Sequence, residues 1–172
     1  MLETQHLVLE PFTSEQLIAL IEAPETFNEF SRFPAAEGLR EFFTSGDVDP
    51  AWLTSLKSLD ASSPWGLGFA VIDTESRQII GSGGFKGSPD ADGTVEIAYG
   101  IVPSFEGRGY ATEGARALTE YCFANGVLCV RAHTLPVTNA SNRILAKCGF
   151  EFAGEMIDPN DGPVWRWERP SK

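Results

Sequence analysis

Two hydrophobic periods alternate along the chain. Leu7, Val8 and Leu9 read as a short strand. The Thr13-Ser14-Glu15-Gln16 run behind them is a capping-box pattern, which opens an amphipathic helix through about Glu22. A second helical region is expected between Ala35 and Leu59, with a start at Asp49-Pro50, where the acid caps and proline fills the first turn. Residues 68–72 and 78–82 read as strands joined by a polar turn at 73–77. Beyond the loop at 87–93, residues 94–102 alternate strictly. Val95, Ile97, Tyr99 and Ile101 share one face, and Glu96, Ala98 and Gly100 the other. The period then becomes helical: Ala111, Ala115, Leu118, Cys122 and Phe123 form one stripe that Asn125-Gly126 ends. A strand at 127–134, a short helix from Asn139 to Cys148, and strands near 150–156 and 163–168 complete the order βααβββαβαββ. That order predicts one α/β (α+β) domain over 1–172, with a mixed, mostly antiparallel central sheet flanked by helices.

Composition narrows the class. With 172 residues, 42% hydrophobic, the chain can bury a core of ordinary size. No stretch approaches a bilayer span, and Met1-Leu2-Glu3-Thr4-Gln5 lacks the basic, apolar start of a signal peptide, so a cytoplasmic protein is expected. A net charge of -11 argues against nucleic acid or an anionic membrane as partner. Residues 1–49 carry ten acids and two bases, whereas bases slightly outnumber acids between 107 and 150. That asymmetry suits a cationic substrate and an anionic ligand. Cys122, Cys129 and Cys148 form no CxxC pair and sit in apolar contexts, so neither a disulfide framework nor a metal site is expected.

The turn before the long helix carries the chemistry. A helix N-terminus presents unpaired N–H groups and positive potential. Gly107 and Gly109 remove the Cβ atoms that would keep a phosphate away, and Arg108 between them can add a charged contact. The segment Gly107, Arg108, Gly109, Tyr110, Ala111, Thr112 therefore predicts an anion site. A P-loop needs GxxxxGK[ST], which is absent. A Rossmann fingerprint needs a third glycine where Thr112 stands and a βαβ setting that these hairpin strands do not provide.

Residues 96–114, EIAYGIVPSFEGRGYATEG, closely resemble the acetyl-CoA motif of the GNAT superfamily of N-acetyltransferases. The NASNRILAKCGF run at 139–150 resembles the second motif, NxxSxxxxxKxGF, of the branch that acetylates ribosomal-protein N-termini. The resemblance runs from about Leu7 to Glu168. It departs at Glu106, an acid where relatives carry Gln or Arg, and at Leu145, where many relatives carry a tyrosine that protonates the departing thiolate.

The resemblance implies a cleft where the strand ending at Val102 splays from its neighbour, so that the pantetheine arm of acetyl-CoA, the co-substrate, bonds Ile101 and Val102. It assigns the diphosphate to the backbone of 107–112, Asn139 to the far side of the arm, and Asn142 and Arg143 to positions near the cofactor. Glu96, facing away from the apolar stripe, becomes the candidate base, and Ser141 the candidate donor to the thiolate. His133 reads as a hydrogen-bonded structural residue, and Trp65, Trp165 and Trp167 as core anchors. The expected acceptor is an amine-bearing small molecule or a protein N-terminus, and a homodimer is compatible with the branch. The alternative is a non-catalytic acetyl-CoA or CoA-binding sensor of the same fold.

Overall fold

The computed structural model describes residues 1–45, 50–56, 58 and 63–172. The expected cap at Asp49 and the end of that helical region at Leu59 lie outside them. Among the described residues, β1 (Leu2–Glu3) and β2 (Leu7–Pro11) lead into α1 (Ser14–Glu22). The predicted capping box closes α1: Thr13 Oγ1 accepts from the Gln16 N–H at 3.2 Å, and the Gln16 side chain accepts from the Thr13 N–H at 3.0 Å. A 3-10 turn at Pro24–Thr26 and four short helices follow: α2 (Phe27–Phe30), α3 (Glu41–Thr44), α4 (Pro50–Ser55) and α5 (Pro64–Leu67). Next come β3 (Phe69–Asp73), β4 (Gln78–Phe85), β5 (Thr94–Ile101), α6 (Tyr110–Ala124), β6 (Cys129–Thr134), α7 (Ala140–Lys147), β7 (Glu151–Asp158) and β8 (Gly162–Pro170).

The sheet order is β1-β2-β3-β4-β5-β6-β8-β7. Every pairing is antiparallel except that of β5 with β6. That parallel pair has only three rungs, Thr94↔Cys129, Val95↔Val130 and Glu96↔Arg131. From there the strands part, whereas β4 stays paired with β5 as far as Ile101. The expected splay is therefore present. Because the two strands are parallel, their carboxyl ends share one edge of the sheet. The helix after each, α6 and α7, starts at that edge, where open α/β sheets gather ligands.

Helix α6 lies across the sheet where it divides. Leu118 joins the core formed by Leu7, Leu9, Phe69 and Ile80, while Ala115 and Cys122 pack with Val95, Ile97, Val130 and Leu145. All three of these helix residues have no exposed surface. Cys122 and Cys148 are buried free thiols and Cys129 is partly buried. Burial pushes the Cys122 thiol up to about 12, so it packs as a hydrophobe. Trp65 joins Phe69, Phe85 and Tyr121 in an aromatic cluster, and Phe152 lies edge-on to both Trp165 and Trp167.

Candidate active site

The hydrogen-bond pattern of β5 decides which backbone groups face the cleft. Val102 N–H donates to Ile80 O at 2.8 Å, and Lys86 N–H to Glu96 O at 2.9 Å. In an antiparallel ladder this fixes the even-numbered residues of β5 as those bonded to β4. The N–H and C=O of Tyr99 and Ile101 consequently point the other way, into the gap left by β6. Ile101 stands where the sequence placed it. Val102 is committed elsewhere: its carbonyl also accepts from the Phe105 N–H at 2.9 Å. Tyr99 takes its place on the cleft edge, a residue that alternation along the strand could have supplied.

At the carboxyl end of β5 the chain makes a 3-10 turn, Pro103–Phe105, and enters the glycine turn. Gly107 and Gly109 have φ of 76° and 86°, a region that side-chain-bearing residues rarely adopt. A Cβ on either would meet no atom within 4 Å, so the space over both is open. Gly109 is the N-cap and gives no side-chain cap. The helical ladder begins with Glu113 N–H to Gly109 O at 3.0 Å. The N–H groups of Tyr110, Ala111 and Thr112 therefore leave the helix end without intrahelical partners. Arg108 is exposed, folded over the Phe105 ring at 5.0 Å, with Nη2 donating to Ser104 O at 3.3 Å. Tyr110 is buried, so only its backbone belongs to this cradle. A groove of about 910 Å³ runs from Gly109 and Thr112 along α6 between that helix and residues 1–5, lined by Arg116 and Lys147 and by the acids Glu3, Glu113 and Glu120.

Across the gap, Asn139 caps α7. Its side chain accepts from the Asn142 N–H at 3.1 Å, and the Asn142 Oδ1 accepts from the Asn139 N–H at 3.0 Å. Asn142 Nδ2 donates to Thr134 Oγ1 at 3.3 Å, which also accepts from Trp167 Nε1 at 3.1 Å. Asn142 is buried and wholly used in holding α7 against β6. Asn139 keeps its Nδ2 donor, and Ser141 sits half-buried in the first turn, its hydroxyl without a partner among the described residues. Arg143 is exposed. Leu145 is 1% exposed, in the core.

Glu96 lies on the last rung before the strands part, on the face away from α6. Lys86 Nζ reaches its Oε1 at 2.8 Å and Asp161 Oδ2 at 3.3 Å. Burial would lower the lysine's pKa, but the two carboxylates hold it above its usual value. His133, two residues past the last rung on β6, brings Nδ1 to 3.1 Å from the same Oε1 and 4.0 Å from Asp158 Oδ2. The Asn160 and Asp161 N–H groups hold Asp158 below its usual value, with Lys86 and His133 adding to the effect. The expectation of a hydrogen-bonded structural histidine fails. Neither ring nitrogen has a partner of hydrogen-bond geometry among the described residues, although the side chain is only 8% exposed. No group of His, Cys, Asp or Glu among the described residues could hold a metal ion, and no helix there is long and apolar enough to cross a membrane.

The open edge of β5 thus runs from the glycine turn before α6 to the ionisable cluster at Glu96. The model of the acetyltransferase (GNAT) domain matches residues 6–151, and the chain belongs to that family, which uses acetyl-CoA. An uncharacterised N-acetyltransferase of Bacillus subtilis, YoaA, is 26% identical over 158 residues, covering 90% of this chain and 85% of its own length. Among solved structures, the ribosomal-protein-S5-alanine acetyltransferase of Vibrio fischeri superposes with a TM-score of 0.69 at 17% identity, covering 99% of this chain and 96% of that one. The microcin C7 self-immunity acetyltransferase, in complex with acetyl-CoA and AMP, gives 0.64 at 17% identity over 97% and 93%.

Proposed function

We propose that the chain transfers the acetyl group of acetyl-CoA to a primary amine, on a peptide N-terminus or a small molecule, by direct attack on the thioester. The observation that carries this reading is the free backbone edge of Tyr99 and Ile101, which runs from the cradle at 107–112 towards Glu96. Strand β5 rises about 13 Å from Ile101 back to Ile97, a reach suited to an extended arm bearing two amides. In this reading the diphosphate takes the N–H groups of the cradle with Arg108 beside it. The arm joins β5 as an added strand would. Asn139 Nδ2 meets it from the far side, Asn142 holds Asn139 in place, and Arg143 lies towards the nucleotide.

The thioester then rests between β5 and β6 near Glu96. As the N–C bond forms and the C–S bond breaks, Glu96 takes the proton of the amine, and the Ser141 hydroxyl gives its proton to the thiolate and regains one from solvent. Neutralising a lysine-type amine at pH 7 costs roughly 4–5 kcal/mol, against about 1 for an α-amine, so the first kind depends on the base.

Titration calorimetry with acetyl-CoA tests the cradle. Mass spectrometry of alanine- and serine-initiated peptides, spermidine and aminoglycosides tests the transfer, reading a gain of about 42 Da on the acceptor. The buried Leu145 favours a second reading, a binding module without chemistry. Heat with acetyl-CoA and no mass gain on any amine would select it.

A further inference from the structure

Glu96 Oε1 is contacted by two groups, the Lys86 ammonium and the His133 ring. The lysine is held charged by Glu96 and Asp161 and can take no further proton. The ring can. It is more than nine-tenths buried, both its nitrogens lack partners of hydrogen-bond geometry among the described residues, and Nδ1 lies within 3.1 Å of the carboxylate, so that a small rotation of the ring would aim it there. A buried polar ring without partners is costly unless it has a role. Its place is specific as well. Two residues past the last rung, Glu96↔Arg131, His133 sits just beyond the point where β5 and β6 separate. Imidazole is the side chain whose ordinary titration falls near neutrality, so it can accept a proton and lose it again within a turnover.

We propose that Glu96 and His133 work as a proton-handling pair: Glu96 receives the proton leaving the acceptor's nitrogen and passes it to His133 Nδ1. One proton moves from nitrogen to Glu96 and on to Nδ1, and His133 releases it to solvent as product leaves; nothing is oxidised or reduced, and Glu96 is ionised and Lys86-bound again before the next amine arrives. His133 is a positioning and relay residue acting through Glu96. Besides Lys86 just past β4 and Glu96 on β5, the charged groups near the ring are Asp158 on β7, Asp161 in the β7–β8 turn and Arg166 opposite it on β8. The inference rests on the acetyl-transfer reading above.

The test is aminolysis of acetyl-CoA by two small amines at saturating concentration: ethylamine, whose ammonium is as basic as a lysine's, and glycinamide, which resembles an N-terminus. H133N keeps a donor where Nδ1 stands but cannot carry a proton. It should slow ethylamine turnover by about 30-fold or more, within the range of general-base effects, and glycinamide turnover by less than about 3-fold. H133Q serves as a second variant, with circular dichroism and calorimetric acetyl-CoA binding confirming that each is folded. Equal losses with both amines, or none, overturn the pair, because a structural role does not sort amines by basicity. A wild-type chain that binds acetyl-CoA yet accelerates neither amine also overturns it while leaving cofactor binding in place. Absence of heat with acetyl-CoA instead removes the acetyl-transfer reading itself.

Discussion

The hydroxyl of Tyr110 donates to Asp73 Oδ1 across 3.1 Å, tying the first residue of α6 to the end of β3. Both are buried, at 8% and 3% exposure, and the other carboxylate oxygen accepts from the Ser76 N–H at 2.9 Å. The residue that opens α6 is thus fixed from beneath by the β3–β4 hairpin.

Loss of that bond has a defined cost. Tyr110→Phe should destabilise the fold by about 1–2 kcal/mol, the range for a hydrogen bond to a charged group, and loosen the cradle enough to weaken acetyl-CoA binding. Burial would raise the pKa of Asp73, but Ser76, Tyr110 and the Glu75 N–H outweigh it and hold the group below 3.8. A lowered folded value means stability that is present above the ordinary carboxylate range and lost as pH falls through the folded pKa. Thermal melts should therefore fall off below about pH 4 in the wild type, and Asp73→Asn should flatten that limb. A limb identical in both proteins would contradict this account.

The two ends of α6 separate strain from function. Gly109 and Gly126 have nearly the same φ, 86° and 82°, and a Cβ on either meets open space. Alanine at each should cost about 1–2 kcal/mol for the left-handed backbone. Only Gly109→Ala also puts a methyl where the diphosphate is proposed to sit, so it should weaken acetyl-CoA binding tenfold or more. Gly126→Ala should bind like the wild type. Equal affinities of the two variants by calorimetry would remove the cradle.

Local chemistry made much of the fold legible. The Thr13-Gln16 box, the Asn125-Gly126 stop and the β5 alternation are properties of adjacent residues, and the structure has them where the sequence put them. What was missed depends on distant partners. Gly83 and Gly84 lack strand propensity, yet β4 runs on through them by pairing with Tyr99 and Ala98, and glycine is needed there because a Cβ would lie 2.7 Å from Leu118 and 3.2 Å from Gly68. Helices α2 and α5 span four residues each, too short for any period to register. At the site, spacing could place the glycine turn before α6 and Glu96 on β5. It could not show that Lys86 and His133 converge on Glu96 from the strands on either side. Nor could it show that Asn142 is consumed by its own helix cap. Both depend on register.

That cap yields a third prediction. Asn139→Ala removes the acceptor of the Asn142 N–H and should cost about 1 kcal/mol in unfolding experiments. Because Asn142 would lose its place against Thr134, the start of α7 and Ser141 with it should shift. Turnover should then fall by more than the loss of stability explains, whereas Asn139→Asp, which keeps the acceptor, should retain most of it. A variant that is destabilised by Asn139→Ala yet keeps full turnover would detach Ser141 from the reaction.

Two hydroxyls near the cleft can be told apart by what each is asked to do. The phenol of Tyr99 is buried without a hydrogen-bond partner among the described residues, and burial raises its pKa well above the usual value. Deleting an unsatisfied buried hydroxyl relieves a desolvation penalty of about 1–3 kcal/mol at most, so Tyr99→Phe should be neutral or stabilising. The part in binding acetyl-CoA proposed for it is a backbone one, which phenylalanine preserves. Ser141 is half-buried with a free hydroxyl in the first turn of α7, where substitution disturbs no bond. Ser141→Ala should therefore leave stability and acetyl-CoA affinity unchanged while lowering kcat about tenfold or more, within the usual span of general-acid effects. A kcat that falls with Tyr99→Phe and survives Ser141→Ala would transfer the thiolate's proton donor from α7 to β5.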